Sequence, residues 1–133
     1  MAITLDHTEG NSLTFTDASP AKTVTGWAEG ANAIDAGAGS YYEYVNVQIS
    51  IAFAAGIDGN ATIKRRISAD SGTTDSDAGI DIGEVTYSAG NTVITTIQLQ
   101  RFNFCEIGVY NGSSAVADIT LTAKWEGLKV TDN

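Results

Sequence analysis

The chain has little of what catalytic or cross-linked small domains depend on. Of its 133 residues one is cysteine, one histidine and one proline, and 7 basic side chains stand against 16 acidic ones. The single Cys105 closes no intramolecular disulfide. With His7 as the only histidine, far along the chain, it reads as a small buried hydrophobe rather than a nucleophile. A formal charge of -9 opposes nucleic-acid binding, which gains affinity when Lys and Arg displace counterions from phosphates. No window approaches the ~20 apolar residues of a membrane span, so no membrane insertion is expected. Residues 1–10 contain no basic region followed by an apolar stretch, so the expectation is a chain made and kept, or assembled, in a cytosol. Also missing are a Gly-rich phosphate loop, a nucleophile elbow, a zinc signature and a paired base; the expectation is no enzyme, no cofactor and no resident metal.

What is present is alternation of period two. Val45, Val47, Ile49, Ile51 and Phe53 alternate with Asn46, Gln48, Ser50 and Ala52, which places apolar residues on one strand face and mostly polar ones on the other. The same pattern sets Val93, Ile97 and Leu99 against Thr96, Gln98 and Gln100. It also sets Ile119, Leu121, Ala123 and Trp125 against Asp118, Thr120, Thr122 and Lys124. The spacing predicts strands at about Tyr42 to Ala54, Ala61 to Ser68, Ile80 to Tyr87, Thr92 to Gln100, Phe102 to Tyr110 and Ala115 to Glu126. Turns rich in Gly, Asn, Asp and Ser join several of them. Weaker strands are expected at Ala2 to Leu5, Ser12 to Thr16 and Lys22 to Ala28, with a long loop from Glu29 to Ser40 whose only large apolar residue is Ile34. The apolar phase jumps across Gly83 and again across Gly127, where β-bulges are expected. The sum is an all-β fold: one antiparallel β-sandwich domain over 1–133, jelly-roll-like, of eight or nine strands, with an N-terminal arm over about 1–20.

Residues able to carry chemistry are few. Asp70, Asp75, Asp77 and Asp81 supply hard oxygen ligands of the kind Ca²⁺ takes, but their spacing is not that of an EF-hand, and a solvated turn is the plainer reading. Lys64, Arg65 and Arg66 lie in one strand, with Lys64 and Arg66 on one face and Arg65 on the other, which reads as a solvated edge or an ion-paired one. Glu106 shares a face with Phe104 and Gly108, where apolar surroundings would raise its pKa. Among the aromatics, Trp125, Phe102 and Phe104 sit in alternating strands and read as core. Tyr41 and Tyr42, beside the Gly-rich loop, read as surface candidates, with Tyr44 close behind.

The segment from Ile63 to Thr74, and that from Arg101 to Ser113, are similar to segments of small β-sandwich virion proteins of tailed bacteriophages; the likeness covers about Tyr42 to Gly127. What the resemblance implies is a capsid decoration (cement) protein or another head or tail component. Such a protein is made in the host cytoplasm, located in the virion, commonly trimeric, and adheres to the major capsid protein or other virion proteins. On that reading Ala2, Ile3, Thr4 and Leu5 form a lattice-binding arm, and Ile34, Tyr41, Tyr42 and Tyr44 a subunit contact. The alternative is a carbohydrate-binding or receptor-binding module that uses Tyr41, Tyr42 or Trp27 as a stacking platform.

Overall fold

A computed structural model describes residues 3–68, 79–115 and 117–132. Nine strands lie among them: β1 (Ile3–Leu13), β2 (Thr25–Ala28), β3 (Ile34–Asp35), β4 (Ser40–Phe53), β5 (Ala61–Ser68), β6 (Ile80–Val85), β7 (Thr92–Phe102), β8 (Phe104–Asn111) and β9 (Ile119–Asp132). Two sheets face one another. One runs in the order β1-β9-β4-β7, and the other in the order β2-β8-β5-β6 with β3 pairing to β8. All pairings are antiparallel.

Four pairings join segments nested inside one another, β1 with β9, β2 with β8, β4 with β7, and β5 with β6, and the pairings of β9 with β4 and of β8 with β5 then complete the two sheets. This is a single four-rung ribbon rolled up on itself, the jelly-roll arrangement. The turn from one sheet to the other after β7 is sharp. Arg101 adopts a φ of 49°, and the Asn103 side-chain amide then donates to the carbonyls of Gly37 at 2.8 Å and Ser40 at 2.9 Å.

The core is built by the strands that alternate most strictly. Val45, Val47, Ile49 and Ile51 of β4 are fully buried against Ile63 of β5, Ile107 and Val109 of β8, and Ile119 of β9. Each such side chain contributes about 1.5–3 kcal/mol of burial. Cys105 lies among them, and burial pushes its thiol up to about 12.

The first third departs from the sequence expectation. Of the two short strands expected before Pro20, the first lies within one long strand, β1, which runs along β9 as an edge strand of the first sheet and takes in only Ser12 and Leu13 of the second; Thr14 to Thr16 are not strand. The stretch expected to be a long loop holds a 3-10 turn over Gly30–Asn32 and then β3, whose Ile34 pairs with Cys105. Ile34 was expected at a subunit contact. It is instead 1% exposed, because β3 lies on β8 and turns that side chain into the core.

The bulge expected at Gly83 is present one residue away. Gly83 faces Ile63 and Asp81 faces Lys64, so Ile82 is the extra residue on β6. Around Gly127 the irregularities sit in both neighbouring strands rather than in β9. Glu43 is extra on β4, and Glu9 with Gly10 bulges from β1. A Cβ on Gly127 would come within 2.8 Å of the Tyr44 carbonyl, so the missing side chain admits this crowding.

The bulge at Glu43 has one further effect. It reverses the phase of β4, so Tyr42 faces inward and is 5% exposed, against the surface position expected for it. Its ring meets Phe102 at 5.6 Å and Trp125 edge-on at 5.4 Å between centroids. Burial first, then Asp35 and Asp6, raises the Tyr42 phenol's pKa.

Candidate docking face

Residues directly opposite one another in an antiparallel sheet point to the same side. On the outer side of the first sheet, Leu5, Val130 and Tyr41 form one row across β1, β9 and β4. His7, Leu128, Tyr44 and Gln100 form the next row, which reaches β7. Ile3 stands two residues from Leu5 and shares its side. The result is an apolar strip at one end of the face, in which Ile3 and Leu5 are each 64% exposed while Val130 is buried.

The rest of this face is polar. Glu126, Asn46 and Gln98 form the next row, joined by side chains: Gln98 donates to Asn46 at 3.0 Å, and Asn46 to Glu126 at 3.2 Å. Gln100 donates to Gln98 at 3.2 Å and extends the ladder toward Tyr44. Beyond it lie Lys124, Gln48 and Thr96, then Thr122, Ser50 and the exposed Ile94. Glu43 and Arg101 flank the apolar end, paired at 3.2 Å, with the Arg101 guanidinium 5.6 Å from the Tyr41 ring centre.

The structure thus brings together four of the residues singled out from sequence, Ile3, Leu5, Tyr41 and Tyr44. It separates the others from them. Thr4 is exposed but points to the opposite side of β1, Tyr42 and Ile34 are in the core, and Ala2 lies outside the described residues. Leu128 and Val130 belong to the strip and were missed. Their signal was an apolar pair at alternate positions beyond Gly127, and the bulges in the neighbouring strands decide which side they face.

A charged cluster occupies the outer side of the second sheet. Arg66 Nε lies 2.9 Å from Glu106 Oε1, another guanidinium nitrogen of Arg66 lies 2.8 Å from Glu29 Oε2, and the Gly30 N–H donates to Glu106 Oε2 at 2.8 Å. Glu106 therefore meets a cation and an amide where apolar surroundings were expected. The Arg66 guanidinium also stands 3.9 Å over the Trp27 ring, and that ring leaves no room for a Cβ on Gly108, which would come within 2.6 Å of it. Trp27 is occupied by its own chain and offers no free stacking platform. Asp81 pairs with Lys64 at 2.7 Å, while Asp70, Asp75 and Asp77 lie outside the described residues. Among the described residues no three acidic, His or Cys side chains gather as a metal site, and no helix is long and apolar enough to cross a membrane.

The fold and its outer face define an all-β sandwich that presents an apolar strip beside a ladder of amides. The sequence matches no protein-family model and none of the curated proteins.

Proposed function

We propose that this chain is a non-enzymatic structural protein of a phage particle, a capsid decoration protein that adheres to the assembled lattice. The observation that carries the reading is the apolar strip at one end of an otherwise polar sheet face, in which Ile3 and Leu5 are exposed and Tyr41, Leu128 and Tyr44 half-buried. Aliphatic and Tyr side chains grouped on a rigid sheet and still partly open to solvent are the anchors from which adhesive contacts are made. The partner is the major capsid protein, and a trimeric assembly would present three strips together. A modest contact repeated at every symmetric site of a shell then adds up to a large stabilisation of the particle.

The test is cosedimentation with capsids from the native source, followed by electron cryomicroscopy. Wild type and an Ile94→Asp control on the same face should bind, and Leu5→Asp combined with Tyr44→Ala should not. Binding that survives the double substitution would overturn the reading.

The amide ladder beside Tyr44 favours one alternative. A shallow depression of about 240 Å³ is lined by Glu43, Tyr44, Gln98, Gln100 and Arg101, groups that hydrogen-bond and stack on sugars. A carbohydrate-binding or receptor-binding module would give saturable binding on a glycan array that Tyr44→Ala removes, whereas a decoration protein gives none.

A further inference from the structure

Two edge strands meet along one flank of the sandwich. Among the described residues β6 pairs only with β5, and β7 only with β4, so both leave an edge free on the same side. Between them lies an opening of about 440 Å³ lined by Arg65, Ile82, Ile97, Gln98, Leu99 and Gln100. Gln98 and Gln100 direct their amides to the ladder on the outer face, and beside them Arg65 meets the half-buried Ile82 and Ile97, with Leu99 buried beneath, in a lining that is polar and apolar together.

Arg65 differs from the cations beside it. Lys64 is paired with Asp81, and Arg66 with Glu106 and Glu29, all on the outer side of the sheet. Arg65 faces inward. Its Nε is buried and, among the described residues, meets no hydrogen-bond acceptor. A buried guanidinium nitrogen without an acceptor is costly, and a planar carboxylate is the group whose geometry satisfies it best.

We infer that this flank is a binding site for an aliphatic carboxylate, with the carboxylate on Arg65 and the hydrocarbon chain along Ile97 and Ile82. The complementarity is of charge at one end and of the Ile97 and Ile82 side chains beside it. The length also fits: three residue steps along β7, from Ile97 to Gln100, span about 10 Å, close to an extended chain of eight carbons. The site adjoins the docking face through Gln98 and Gln100 but does not depend on that face's function.

Octanoate is the probe, titrated into the full chain and followed by calorimetry and by the NMR signals of the Arg65 Nε–H and the amides of Ile97–Gln100. Saturable one-to-one binding that moves those signals is the expected result, with octanol and octylammonium giving none and butanoate binding more weakly. Arg65→Gln should weaken octanoate about tenfold or more, and Arg65→Lys should restore part of the affinity; far-UV circular dichroism checks that both variants fold. If either variant fails to fold, the wild-type Nε–H signal decides. Octanoate binding that is unsaturable, that octanol reproduces, or that leaves the Arg65 signal in place would overturn the inference. So would binding of an acidic strand-forming peptide in its stead.

Discussion

Asp58 shows how much one side chain can organise. Its carboxylate accepts from the Ser114 hydroxyl at 2.7 Å, the Ser113 hydroxyl at 2.8 Å, and the N–H groups of Ser114 at 2.8 Å and Ala115 at 3.2 Å. It thereby ties the turn after β4 to the connection between β8 and β9. The Ser114 hydroxyl first, then the Ser113 hydroxyl and the two amides, hold its carboxyl well below the usual carboxylate range. A carboxyl lowered by folding contributes stability above its unfolded pKa, about 4, and loses it as acid protonates the folded form. Wild type should therefore lose melting temperature faster than Asp58→Asn on acidification from about pH 5 to 2, with the variant less stable at neutral pH. Thermal unfolding across that range checks this, and parallel curves would contradict it. The turn character of both segments was legible from their Gly, Asn and Ser content, but their union was not, because nothing local marks a partner on a distant turn.

Among the elements, legibility followed burial. β4, β7 and β9 bury one face each, and their alternation could be read directly from the residues. β1 buries almost nothing until Leu13, so its sequence carries no period, and only its pairing with β9 gives it a place. The positions of Ile34 and Tyr42 were unreadable for another reason. A two-residue strand and a one-residue bulge invert the side a residue faces, and neither has a sequence signature strong enough to fix it. The candidate site was half visible for the same causes: its exposed apolar residues stood out, while Leu128 and Val130 needed the register. Because β1 is a full sheet partner and not a loose arm, deleting residues 1–13 should lower the melting temperature and expose the β9 edge. Thermal unfolding and analytical ultracentrifugation should find a less stable, self-associating protein; an unchanged melting temperature would count against this role for β1.

At the scale of the molecule the two sheets share one core, since the buried cluster draws on β4 and β9 from one sheet and on β5 and β8 from the other. Neither sheet should therefore melt alone. Ile49→Ala, at a fully buried position, should cost about 2–5 kcal/mol and shift the far-UV and near-UV transitions together. Separate midpoints would reveal independent sheets. The nested pairing also orders events in time. β9 lies between β1 and β4, so the strand made late is the one that joins two strands made early. Until it leaves the ribosome, β1 has no partner and β4 lacks one of its two. Folding of the first sheet therefore waits for β9 to be made, and it proceeds at the pace of long-range loop closure and not of local turns.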